Sequence, residues 1–151
     1  MRVRVPPMPP ITFSPVPTLV KNFQIGARWT PAIIRAGGFT PISVLFLDNY
    51  SSLPVPLKST EAMLVIHLIR HKMDARAPFP SLAHLALKMG LKVSAVRSRM
   101  RALEAKGYIV RESRVARSNI YRLDGLFEAL EALIARNESR VKSEKEASAG
   151  L

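Results

Sequence analysis

Apolar side chains recur at helical spacing through the middle of this chain, and the breaks between stripes are sharp. Leu64, Val65, Leu68 and Ile69 share one face of a segment that follows Ser59, Thr60 and Glu61. Ser59 or Thr60 is the expected cap, Glu61 suits the positive end of the helix dipole, and the helix should run to about Met73. Ala77-Pro78-Phe79-Pro80 then breaks the chain and predicts a short extended piece. Leu82, Leu85, Ala86 and Met89 form a second stripe, capped by Ser81 and closed by Gly90 in the left-handed conformation that other residues resist. Only Leu91-Lys92-Val93 separate that glycine from Ser94, the expected cap of a third helix over 95–106. Its Val96, Met100 and Leu103 fall on one side, and Gly107 ends it. The β-branched and aromatic runs 108–111 and 120–123 flank a polar, basic turn and predict a hairpin. A last helix over 125–137, capped by Asp124, carries Leu126, Phe127, Leu130, Leu133 and Ile134 on one face.

The two ends lack such stripes. All 12 prolines lie at or before Pro80, and residues 1–22 read as a Pro-rich flexible arm, with a protein partner as the minority reading. Residues 23–57 form an N-terminal extension in which Thr30-Pro31 and Thr40-Pro41 each resemble a helix start. The first helix should cover 31–36, stopped by Gly37-Gly38, and the second should run from Pro41 to about Tyr50. Val44, Leu45, Phe46 and Leu47 are apolar enough that the second should pack on the domain over 58–123. Residues 138–151 are Ser, Lys, Glu and Ala without a core stripe and read as a disordered tail.

Helix, short Gly-containing turn, helix and hairpin predict a mainly α fold with a small β-hairpin, the winged helix-turn-helix. The N-terminal extension and a C-terminal helix frame it. Charge then changes the picture. Twenty-three Lys and Arg against 11 Asp and Glu leave a net charge of +12, which attracts polyanions. Residues 58–123 alone hold 14 basic and four acidic side chains, whereas 124–151 hold four and six. The excess therefore belongs to the winged-helix segment. No apolar run approaches the roughly 20 residues of a spanning helix, and prolines interrupt the place where a signal sequence would lie. With no Cys, disulfide and thiolate chemistry are excluded, consistent with a cytoplasmic, nucleoid-associated protein.

If Val96, Met100 and Leu103 face inward, Ser94, Arg97, Ser98 and Arg101 face outward, with Arg99 on the flank. Arg97 and Arg101 repel each other at i,i+4, and only Glu104 is placed to relieve Arg101. Stability does not account for that helix; a phosphate-rich partner does. An outward helix fits the major groove, so Arg97 and Arg101 are the candidates for bidentate contacts to guanine. Ser94, Ala95 and Ser98 are small enough to let the helix approach the bases. Ser81, Lys88, Lys92 and Arg99, with Arg111, Arg114 and Arg117 on or beside the wing, are the candidates for phosphate contacts.

The stretch Phe79-Pro80-Ser81-Leu82-Ala83-His84-Leu85-Ala86-Leu87-Lys88-Met89-Gly90-Leu91-Lys92-Val93-Ser94-Ala95-Val96-Arg97 resembles the helix-turn-helix of bacterial winged-helix domains. Leu103-Glu104-Ala105-Lys106-Gly107-Tyr108-Ile109 and Arg117-Ser118-Asn119-Ile120-Tyr121-Arg122-Leu123 resemble the flanks of its wing. Together with Gly38-Phe39-Thr40-Pro41 and Leu57-Lys58-Ser59-Thr60-Glu61, the chain is similar over about 39–123 to replication-initiation proteins of plasmids, phages and bacteria, the phage replication protein O and DnaD-like group. The resemblance implies a non-catalytic, replication-initiator-like or mobile-element protein that binds double-stranded DNA. A transcriptional regulator, or a non-catalytic nucleic-acid-binding subunit of a larger complex, shares the same motif. Beyond 123 this sequence has room for a helix and tail, and no effector or helicase-loading domain is expected within it.

Other chemistry finds little support. His67 and His71 have the i,i+4 spacing of a zinc pair, yet the HExxH form is absent and a solvated helix face is the expected reading. His84 is expected near the DNA side. No phosphate-binding glycine loop or nucleophile elbow occurs, and Glu61, Asp74, Glu104 and Glu112 are not clustered as a two-metal site requires. No enzyme activity, cofactor or metal is expected. The stripe Leu126, Phe127, Leu130, Leu133 and Ile134 has two readings, packing on its own domain or joining a homodimer, and the second is favoured.

Overall fold

The computed structural model describes residues 25–150, which fall into two units dividing after Phe39. The arm over 1–22 lies outside the described residues. The first unit holds α1 (Ile25–Arg28) and α2 (Pro31–Gly37). Thr30 and Pro31 act as predicted: the Thr30 hydroxyl accepts from the Ile33 amide at 3.1 Å, and Gly38 leaves the helix at φ 74°.

The second unit starts at Thr40 and carries α3 (Val44–Asn49), a 3₁₀ turn (Tyr50–Ser52), α4 (Ser59–Arg70), α5 (Leu82–Met89) and α6 (Val93–Ala105). The antiparallel strands β1 (Val110–Glu112) and β2 (Ile120–Arg122) pair with Arg111 opposite Tyr121, and α7 (Asp124–Ala149) closes the order. The fold is mainly helical with one small hairpin, a winged helix-turn-helix as expected.

α4 and α5 both pack against α6. Their shared interior is built from Leu64, Val65, Leu68, Leu85, Val96, Met100 and Leu103, all buried. Tyr121 of β2 and Tyr108, Leu123 and Leu126 extend the same cluster under the hairpin. Burying such aliphatic and aromatic side chains is worth roughly 1.5–3 kcal/mol each, which outweighs the weak propensity of short helices. Gly90, at φ 65°, lets the chain turn from α5 into α6. The extended piece at 77–80 lies beside β2, joined by a hydrogen bond from the Tyr121 amide to the Pro78 carbonyl at 2.9 Å.

Several expected boundaries move, each for a local reason. α3 begins at Val44 instead of Pro41, because Ser43 caps it with a hydrogen bond from the Phe46 amide. Of its four apolar residues, Phe46 is buried and Leu45 partly so, while Val44 and Leu47 face outward. α4 ends at Arg70, short of Met73, and α6 begins at Val93, so Ser94 lies inside the helix. Lys92 is the N-cap residue there, its carbonyl accepting from Ala95 and Val96. Asp124 is likewise inside α7, whose N-cap residue is Leu123. α7 also continues through 138–149, where a disordered tail was expected. Its Glu, Lys, Arg and Ala residues extend a helix already nucleated by its buried first turns. Arg140 and Glu144 add an i,i+4 pair at 3.7 Å.

The two ends of the hairpin meet at an unusually close contact. A Cβ at Gly125 would stand 2.0 Å from the Gly107 carbonyl oxygen, and Gly107 itself has φ 80°. The Leu126 amide donates to the Tyr108 carbonyl at 3.1 Å across the same junction. Gly125→Ala must therefore push backbone from backbone, and a loss of about 3 kcal/mol or more is expected in urea unfolding. An unchanged midpoint would mean that α7 does not start against the α6 exit.

Candidate nucleic-acid interface

α6 presents the residues expected of it. Its inward stripe is held in the core, so Ser94, Arg97, Ser98 and Arg101 are exposed, while Ala95 and Arg99 are half-buried on its flanks. Lys92 and Ser81 are exposed at the N-termini of α6 and α5, although the Ser81 hydroxyl already accepts from the His84 amide at 3.0 Å. Lys88 is exposed on α5, and Arg117 is exposed in the wing loop.

The acidic residues decide which cations are left over. Glu104 pairs with Arg111 of β1 at 3.2 Å, not with Arg101 as the helical spacing suggested. Geometry rather than sequence distance governs this contact, because the hairpin folds back beside α6. Glu112 pairs across the hairpin with Arg122. Asp74 is held by Arg76, whose side-chain and backbone hydrogen bonds pull that carboxyl down to about 2. Glu61 takes Lys106. Every carboxylate between 58 and 123 is thus engaged, and none is bonded to Lys88, Lys92, Arg97, Arg99, Arg101 or Arg117 among the described residues.

Two of the three wing arginines expected at phosphates have structural partners. Arg111 bridges to Glu104, and Arg114 donates to the Ser118 carbonyl at 2.8 Å with its guanidinium 4.8 Å from the centre of the Phe79 ring. They tie the wing to α6 and to the 77–80 segment. The tip beyond them is strained and apolar, with Ala116 at φ 55° and Val115 95% exposed.

The residue that sequence spacing undervalued is Glu61. It was assigned a favourable place in the dipole of α4, yet it is only 3% exposed. Its carboxylate accepts from the Lys58 amide at 2.8 Å and from the Lys106 ammonium at 2.5 Å, while Lys106 also donates to the Pro56 carbonyl at 2.9 Å. The Glu at the third helical position reaching back to the cap amide was legible as half of a capping box. The Lys106 partner, 45 positions away, was not. This knot holds the C-terminal end of α6 against the start of α4 and so sets how the basic helix projects.

Burial opposes the charge on Glu61, but the hydrogen bonds from Lys106 and Lys58 and their positive charges outweigh it, leaving its pKa below the ordinary glutamate value. A lowered folded pKa means that the unfolded chain binds the proton more readily. The carboxylate therefore stabilises the fold above the unfolded pKa, and that contribution disappears as pH falls through the folded value. Glu61→Gln should cost about 2–4 kcal/mol near neutrality and flatten the acid side of the stability curve. Urea midpoints from neutrality down to about pH 3 test this; parallel curves for the two proteins would reject it.

The leucine stripe of α7 is largely engaged inside the chain. Leu126 and Leu130 are buried, Phe127 and Leu133 half-buried, and Ile134 is 44% exposed. Its inner residues belong to the core with Phe46 and Val65, which is the own-domain packing. No described helix is long and apolar enough to cross a membrane. No group of three or more His, Cys, Asp or Glu among the described residues is placed to hold a metal.

Among curated proteins no sequence matches this one. The fold is similar to a solved structure, the N-terminal domain of DnaD protein from Geobacillus kaustophilus HTA426, at 24% identity and a TM-score of 0.57. That likeness covers 74% of this chain and 94% of the other. The profile of the DnaD N-terminal domain matches residues 42–142, from the approach to α3 through most of α7. With about two thirds of its 151 residues inside that match, the chain belongs to the DnaD N-terminal domain family.

Proposed function

We propose that this chain binds double-stranded DNA as a non-catalytic component of replication initiation, working in the cytoplasm at the nucleoid. α6 enters the major groove, with Arg97 and Arg101 as base readers and Ser94, Ala95 and Ser98 allowing close approach. Ser81, Lys88, Lys92 and Arg99 contact phosphates on either side, and Arg117 follows the backbone or minor groove from the wing. Arg111 and Arg114 serve mainly by holding the wing in place. The observation that carries this reading is the distribution of ion pairs: the domain's acids are taken by Arg76, Lys106, Arg111 and Arg122, and the exposed face of α6 keeps uncompensated cations. Family membership supports the replication setting.

A duplex held by the four cationic phosphate contacts of Lys88, Lys92, Arg99 and Arg117 should lose affinity with salt at a log–log slope of about −4. Arg97→Ala and Arg101→Ala should lower discrimination at one base pair by about 1–3 kcal/mol, while Arg117→Ala should weaken all sequences about equally. Fluorescence anisotropy across a salt series and a panel of duplexes measures both. A flat salt response overturns the DNA reading, and equal behaviour of all three variants overturns the division of roles.

The same proposal includes a homodimer joined along α7 through the outer part of its stripe, Phe127, Leu133 and Ile134, since Leu126 and Leu130 are engaged within the chain. Ile134→Asp should then halve the mass measured by light scattering. An unchanged mass rejects this dimer.

A further inference from the structure

All three histidines of the chain line one cleft. His67 comes from α4, His71 is the residue that caps its C-terminal end, and His84 comes from α5. Arg70 and Lys88 complete the wall beside Thr40 and Ile66, around about 500 Å³. The rings of His71 and His84 meet edge to face at 5.0 Å. A second cleft of about 350 Å³ shares His67 and Lys88 and reaches Arg99 of α6.

No carboxylate lines either cleft among the described residues. Asp74, the acid that follows α4 in sequence, is bonded to Arg76, and Lys72 donates to its carbonyl. The charges that act on His71 come from Arg70, His84 and His67, all basic groups. Five basic side chains from two helices thus converge on one space without a counter-ion. At neutral pH its charge rests on the exposed Arg70 and Lys88, with the neutral imidazoles of His67 and His71 beside them, and no acid among the described residues answers that charge.

We propose that this cleft is a binding site for a phosphoryl anion, held by Arg70 and Lys88 and by the N–H groups of His67, His71 and His84. The size and the donor set fit a compact, multiply charged oxyanion: two permanent cations supply charge, and imidazoles supply directed donors. The site is separate from the outward face of α6, and of the residues that hold the anion only Lys88 also belongs to the DNA-binding surface proposed above. The anion comes either from a duplex backbone or from a free phosphate compound.

Binding has a proton signature. Burial lowers the pKa of His67, and burial followed by the repulsion of Arg70, His84 and His67 lowers that of His71, so both are neutral at neutral pH. A phosphoryl group placed among them favours the imidazolium form and raises both pKa values. Occupancy therefore takes up protons and strengthens as pH falls.

Inorganic pyrophosphate is the probe, read on the full chain by NMR of the imidazole carbons, where three histidines give three assignable signals. It should move all three, raise the titration midpoints of His67 and His71, and bind about tenfold more tightly near pH 6 than near pH 8. Arg70→Gln and His84→Gln, both at solvent-accessible positions, should each weaken binding while leaving the circular dichroism spectrum unchanged. Displacement of pyrophosphate by a duplex oligonucleotide would support a backbone phosphate as the source; simultaneous binding would support a free phosphate compound. Unmoved imidazole signals, shifts that survive both substitutions, or an affinity that ignores pH would overturn the site. Duplex affinity lost in Arg97→Ala with the imidazole shifts retained would keep this inference apart from the DNA reading, as would the converse.

Discussion

A buried carboxylate in a chain of net charge +12 must be matched closely or it unfolds the protein around it. Glu61 is matched by the Lys58 amide and the Lys106 ammonium, and Lys106 in turn reaches the Pro56 carbonyl. These contacts join three parts of the chain that hydrophobic packing alone would leave free to slide: the 53–57 connection, the first turn of α4 and the last turn of α6. Apolar burial sets that the helices come together. The ion pair sets where along their length they do so. Tyr108 adds a neutral counterpart, its hydroxyl donating to the Val55 carbonyl at 2.6 Å and accepting from the Val55 amide at 3.1 Å.

The scarcity of acids makes each pairing count twice. Glu104 binding Arg111 fixes the hairpin to α6 and also withdraws the one carboxylate that α6 had to offer Arg101. Glu112 binding Arg122 closes the hairpin on itself. The same contacts that rigidify the wing thereby leave the exposed face of α6 positive. Structure and electrostatic field come from one set of side chains, and neither can be altered alone.

How much of this was legible follows from how local each feature is. The caps at Thr30 and Ser81, the left-handed Gly90 and the Val96, Met100 and Leu103 stripe depend on neighbours within a turn, and all were readable. So was the exposed face of α6, which is fixed once its buried face is known. Ser94 misled because a good capping residue stood two positions too late, inside a helix already begun at Val93. The tail over 138–149 misled because lack of a core stripe argues against packing, not against helix. Glu104 with Arg111, Glu61 with Lys106, and His84 beside His71 are contacts between elements. Spacing along one helix suggested His67 with His71 and Glu104 with Arg101, and it could not supply the partner from the next element.

The extended segment beside β2 has a further effect on how the protein behaves in a crowded solution. A two-stranded hairpin offers open edges on which another chain could add itself as a strand. On the β2 side that edge is already taken by the segment that holds Pro78 and Pro80, with the Pro78 carbonyl accepting from the Tyr121 amide. Both are buried, so the prolines also seal the flank with packed rings. The sheet stops on that side, and the β2 edge of the basic wing is kept from pairing with copies of itself.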